Sequence, residues 1–217
     1  MTTCERAPGG FTLIEMVIVL AVVGILVGTA MPLAGAIIDA ERRDRVRGDL
    51  REIAESLEEH YFDHAAFPAT LSTPGFFGVY LQRGVADEAI LDPWGGGAEY
   101  RMTSDPVTNT VSVWSRGENG TDDGVLNEDF VVTVTGAVPG MRKTRMRMDV
   151  IVEALAAFLE SGGTLTGTWS TDRAALGLGA EFESDGCGVA FALDAASLVL
   201  RSAGPDRVLG SGDDLTN

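Results

Sequence analysis

The sequence predicts an α+β protein. A long N-terminal helix, membrane-spanning in its first half and amphipathic in its second, packs on a small antiparallel β-sheet head. A second α+β head-like repeat follows. Three observations carry that prediction. Residues 11–38 are almost uninterruptedly apolar, and apolar residues then recur every three or four positions as far as Tyr61. Short alternating stretches flank turn residues between positions 92 and 115. The order helix, turn, hairpin and acidic loop then comes round again in the last third of the chain.

The apolar run spans 28 residues with one charge, Glu15, and one proline, Pro32. As a helix it is ~42 Å long, more than the ~30 Å hydrocarbon core of a bilayer. An unpaired carboxylate near the start of such a span is costly, so Glu15 calls for a partner. At Asp39 the sequence turns abruptly charged.

Gly10-Phe11-Thr12-Leu13-Ile14-Glu15 resembles the processing site of type IV pilins and of the major pseudopilins of type II secretion. The resemblance implies cleavage by a prepilin peptidase between Gly10 and Phe11, with Phe11 N-methylated. It puts Glu15 at the fifth mature position, where the family pairs it with the N-terminus of a neighbouring subunit during assembly. Two plainer readings are a secretory signal peptide cut after Gly28-Thr29-Ala30 and a simple anchor. The first fits poorly with so long a run behind a single base, Arg6, and the second leaves Glu15 unexplained.

Beyond residue 38 the helix continues. Val46, Leu50, Ile53, Ala54, Leu57 and Tyr61 share one face, charges fill the other, and an end is expected at 60–63, before Pro68. Asp92-Pro93-Trp94-Gly95 is a turn in which proline fixes φ and glycine permits a tight exit. The same four residues are similar to a hallmark of major pseudopilins. Strands are expected at 98–103 and 110–115, and again at 130–135, with a linker over 136–140 around Pro139.

Residues 115–130 hold five acids and three glycines. Short carboxylate and amide side chains among glycines suit Ca²⁺, which takes six to eight oxygens. The EF-hand spacing is absent, and the stretch resembles the pseudopilin calcium loop instead. Expected ligands are Asn119, Asp122, Asp123 and Asp129, with Ser115 possible. A second loop over 202–215 offers Asp206, Asp213 and Asp214, with Ser202 possible. Residues 145–150 echo 45–50 at an offset of 100, and Asp185-Gly186-Cys187-Gly188 stands where Asp92-Pro93-Trp94-Gly95 stood. The domain reading is a leader over 1–10, a transmembrane and filament-core segment over 11–38, a globular domain over 39–135 and a second repeat over 141–217.

Acids outnumber bases 32 to 16, for a net charge of −16, which disfavours nucleic acid as a partner. Two histidines and two cysteines form no nucleophile or zinc pattern, so no enzyme is expected. Cys4 falls in the leader, which leaves Cys187 without a disulfide partner. The resemblance implies a structural subunit of a periplasmic pseudopilus, anchored in the bacterial inner membrane with its heads in the periplasm. Its expected partners are copies of itself, other pseudopilins, the prepilin peptidase and the assembly platform. A type IV pilin for adhesion, motility or DNA uptake, or a membrane-anchored binding domain, is the alternative.

Overall fold

A computed structural model describes residues 12–81, 90–126, 128 and 130–217, without the side chains of 29–34. Helix α1 runs unbroken over Leu13–His64, and the chain divides into two compact units, Met1–Asp44 and Arg45–Asn217.

In the first unit the described apolar side chains of α1 stand exposed, Leu13 at 83% and Ile25 at 67%. Among the described residues no helix is long and apolar enough to cross a membrane. The described apolar side chains cover 13–28 and resume at 35.

In the second unit the spacing of apolar residues on α1 decides the packing. Val46, Leu50, Ile53, Leu57 and Tyr61 are all buried. They lie against a three-stranded antiparallel sheet of β1 (Arg101–Asp105), β2 (Thr110–Trp114) and β3 (Val131–Thr135), in that order. Val111 and Val113 alternate inward from β2 and Val134 from β3, the period of two that a half-buried sheet requires. Asp49 is buried on α1 and is tolerated because the Tyr100 hydroxyl donates to its Oδ2 at 3.0 Å. Burial and the Asp49 charge push the Tyr100 phenol far above its ordinary range.

The expected linker over 136–140 is helix instead, since α2 covers Ala137–Glu160. Pro139 sits in its first turn, where a backbone N–H has no intrahelical acceptor and proline costs little. Gly136, just before it, is required: a Cβ there would overlap the Tyr61 ring. After α2 come α3 (Trp169–Ala175) and a 3₁₀ turn over Ala180–Phe182, neither expected from the sequence. A second antiparallel sheet then forms from β4 (Ala192–Asp194), β5 (Val199–Ser202) and β6 (Leu215–Thr216). Its core is Met148, Ile151, Leu155, Trp169, Phe191, Leu193 and Leu200.

The two heads share one plan. Buried Thr144, Met148, Ile151 and Leu155 repeat the 4-3-4 spacing of Val46, Leu50, Ile53 and Leu57. The structural register is therefore 98 residues, not the 100 of the sequence echo, because burial follows the inward face of each helix and not its charges. The two hairpin turns also match. Asp105 accepts the N–H of Val107 and the hydroxyl of Thr108, and Asp194 accepts the N–H of Ala196 and the hydroxyl of Ser197. Each turn closes on a left-handed residue, Asn109 at φ 52° and Leu198 at φ 58°.

Candidate functional site: helix start, carboxylate latches and acidic loops

Gly10 and Phe11 lie outside the described residues. Immediately after them, Thr12 and Glu15 cap α1 reciprocally. The Glu15 N–H donates to Thr12 Oγ1 at 3.3 Å, and the Thr12 N–H donates to Glu15 Oε2 at 3.5 Å. This is the capping-box arrangement, and it holds a carboxylate at the positive end of the helix dipole. Glu15 is thus held at the amino end of α1, at the head of an exposed apolar surface.

In the first head the buried carboxylate of Asp92 ties the Asp-Pro-Trp-Gly turn to the end of β2. Its Oδ1 accepts the Trp94 N–H at 3.1 Å and the Ser115 hydroxyl at 2.8 Å, and its Oδ2 accepts the Arg116 N–H at 2.8 Å. Ser115 Oγ in turn accepts the Gly117 N–H at 3.1 Å. The second head repeats the core of this device, an Asp that accepts the N–H two residues on and a Ser hydroxyl at the start of the loop, with the Val189 N–H as its third donor where the first head uses Arg116. Asp185, wholly buried, accepts the Cys187 N–H at 2.9 Å and the Ser202 hydroxyl at 2.6 Å, and Ser202 Oγ accepts the Gly204 N–H at 3.2 Å. Ser115 and Ser202 were possible metal ligands on sequence, but their hydroxyls are spent on these latches. Both turns are legible in the sequence, but the role of their aspartates is not. The signal available was an Asp at the head of each turn with a Ser-x-Gly at the start of each loop.

The acidic loops hang from the latches. In the first, Asp122 accepts the Trp114 indole N–H at 3.1 Å and pairs with Arg101 at 2.7 Å, outside the loop. The indole hydrogen bond, with Arg101 beside it, holds its carboxyl below the usual range. Asn119 Nδ2 donates to Asp123 Oδ2 at 2.7 Å, and the Asp123 N–H donates to Glu128 Oε1 at 2.9 Å. Asp129 lies outside the described residues. In the second loop Asp213 accepts the Asp206 N–H at 3.0 Å and the Ser211 hydroxyl, while Asp214 accepts the Gly210 N–H at 2.8 Å. Asp206 accepts the Val208 N–H at 2.8 Å. The Ser211 hydroxyl is the main reason the Asp213 carboxyl sits low. Among the described residues no three carboxylate, imidazole or thiol groups converge as a metal would require. A cation at either loop would have to displace these donors.

The heads meet at the carboxyl end of α1. Lys143 of α2 donates its ammonium to the carbonyls of Phe62 and Asp63, the latter at 2.7 Å, where a helix leaves its last acceptors unsatisfied. Arg142 lies over the Phe62 ring at 4.6 Å. Arg207 of the second loop reaches Tyr61 Oη and Asn109 Oδ1, each at 3.3 Å. Cys187 is buried beside this junction, and burial pushes its thiol up to about 11. It is therefore an inert packing group at neutral pH.

A model of the prokaryotic N-terminal methylation motif matches residues 6–31. The type II secretion system core protein G of Dickeya chrysanthemi is 30% identical over 137 residues, covering 57% of this chain and 88% of that protein. The chain belongs to the core protein G family of type II secretion systems. The family member of Klebsiella michiganensis is 28% identical with 94% of its length covered, and that of Pseudomonas aeruginosa 25% identical with 93% covered. Each family match takes in 57% of this chain, so a large part of it lies outside the aligned region. No solved structure matches the chain.

Proposed function

We propose that this chain is a structural pseudopilin of a type II secretion system, made as a membrane-anchored precursor and polymerised through α1 into a periplasmic filament. The observation that carries the reading is Glu15, held by Thr12 at the amino end of an exposed apolar helix within a methylation motif. A carboxylate there can meet the positive N-terminus of a neighbouring copy, while the apolar surface behind it packs first in lipid and then between subunits. Prepilin peptidase cuts between Gly10 and Phe11 and Phe11 is methylated. Other pseudopilins and the assembly platform are the remaining partners, and the chain has no catalytic role. Mass spectrometry of the mature protein checks the processing step: its N-terminus is expected to be methylated Phe11. A chain starting near Met31, as a secretory signal would leave, overturns it.

The second head, from α2 to β6, is proposed to be a duplicate of the first. The shared 4-3-4 helix face, the paired hairpin turns and the repeated latches support this, and the extra head lengthens the chain beyond its relatives.

Calcium is proposed at the acidic loops on the chemistry of their oxygens. In the first loop Asn119, Asp123 and Asp129 would hold it, since Asp122 is committed to Trp114 and Arg101. In the second Asp206, Asp213 and Asp214 would do so. Millimolar calcium is expected to raise the Tm of the full chain by roughly 2–4 °C, which corresponds to about 1 kcal/mol at this size. A Tm that ignores both calcium and chelator rules the sites out.

A further inference from the structure

α2 carries a face that α1 lacks. On the side of α2 opposite its buried residues, Met146 is 58% exposed and Val150 44% exposed, one turn apart. In the register set by burial, the matching positions of α1 are Gly48 and Glu52, and Arg142 and Glu153 match Asp44 and Glu55. One helix kept a polar outer face and the other gained an apolar stripe. Two exposed apolar residues alone are ordinary on a protein surface; the charges around them single this face out.

The charges on α2 say what covers it. Its first half, through Arg147, holds Arg142, Lys143, Arg145 and Arg147 and no acid, and its second half holds Asp149, Glu153 and Glu160 and no base. Lys143 and Arg147 are used inside the molecule, the latter on the carbonyls of Ser184 and Asp185, and Arg142 lies over the Phe62 ring while keeping its exposed guanidinium free of any carboxylate among the described residues. Arg142, Arg145, Asp149 and Glu153 are all exposed and make no ion pair among the described residues. A helix basic in one half and acidic in the other complements itself when two copies lie antiparallel.

We propose that the second head is a self-association surface, on which α2 packs antiparallel against α2 of a second copy about a two-fold axis. The axis passes between Met146 and Val150, so that Met146 of each copy meets Val150 of the other. With a rise of ~1.5 Å per residue, Arg142 then stands within about 2 Å, along the axis, of Glu153 on the facing helix. A two-fold perpendicular to the helices lays each flank on the same flank, and Arg142 and Glu153 lie on one flank. Arg145 falls beside Asp149 in the same way. Each pair occurs twice by symmetry, which is how an isologous contact is built. This surface is distinct from the α1 packing of the filament reading, and a filament joined by α1 alone would not need it.

The test uses the full chain in detergent micelles on a Glu15→Val background, which removes the α1 contribution to assembly. Sedimentation measures self-association. Met146→Glu is expected to weaken the dimer at least tenfold by placing two carboxylates at its centre. Glu153→Arg and Arg142→Glu are each expected to weaken it about tenfold, since each breaks two exposed ion pairs. The double variant Arg142→Glu/Glu153→Arg is expected to restore the association to within about threefold. Within one helix the two positions are ~16 Å apart, so only a pair between copies gives that rescue. A monomer at all concentrations overturns the proposal, as does an association that ignores Met146→Glu or a double variant no better than the single ones. A filament that assembles normally while this dimer is absent would leave the α1 reading standing and this one refuted.

Discussion

A Glu15→Val chain inserts and is cleaved at Gly10 but enters no filament. Valine keeps the apolar run apolar, so anchoring loses nothing, while the one charge available to a neighbouring N-terminus is gone. Valine also removes a helix cap, because Glu15 accepts the Thr12 N–H. That loss alone is worth ~1 kcal/mol of local helix stability and frays the first turn. Glu15→Gln separates the two effects, because glutamine serves in a capping box but carries no charge. Sheared-filament yield and cross-linking are expected to be near zero for both variants, with precursor processing unchanged. If the glutamine chain assembles like the parent, the role of Glu15 is capping, and the charge-pairing account is wrong.

Asp185→Ala is expected to cost the second head ~3–5 kcal/mol. The carboxylate is fully buried and accepts the Cys187 and Val189 N–H groups and the Ser202 hydroxyl. Alanine leaves those donors buried without acceptors, at ~1–3 kcal/mol for each group that water cannot reach. Asp185→Asn keeps the shape and part of the acceptor capacity and is expected to cost roughly half as much. Hydrogen exchange on the full chain reads the result. Protection of α2 and β5 should fall by two or more orders of magnitude in the alanine variant, while β2 in the first head changes less. The reciprocal change, Asp92→Ala, should reverse that pattern. If neither substitution lowers protection in its own head, these carboxylates are not the latches described.

The helix was the most legible part of the chain. Burial of Val46, Leu50, Ile53, Leu57 and Tyr61 follows directly from their spacing, and the end at His64 lies one residue beyond the expected range. The first hairpin was legible because Asp105-Pro106 and Asn109 leave the chain few alternatives to a turn. Pro139 misled in a physically clear way, since proline breaks a helix interior but is welcome in the first turn, and sequence alone does not say which it occupies. α3 was missed because seven residues are too few to show a period. The alternation that predicts a second hairpin over 189–193 and 197–200 lies about two residues ahead of β4 and β5, and β6, two residues long, is too short to show a period. The acidic loops were found by composition, but composition does not say where a carboxylate points. Asp122 reaches back to Trp114 and Arg101, and Asp206, Asp213 and Asp214 turn to main-chain N–H groups or Ser211. Arg207 carried no signal at all, because its partners Tyr61 and Asn109 lie 146 and 98 residues away.

The grip of Lys143 on the last turn of α1 has a consequence for the order of events during synthesis. The carbonyls it binds lie 81 and 80 residues earlier in the chain. A chain made from its amino end therefore delivers the end of α1 well before Lys143. Until Lys143 arrives, the helix end is open to water and to fraying, and closing so long a loop is among the slower steps of folding. The first head can collapse early, but the end of its helix is capped only from α2. A nascent subunit therefore cannot present a completed helix end before α2 has been made, and any event that waits for that end also waits for the start of the second head.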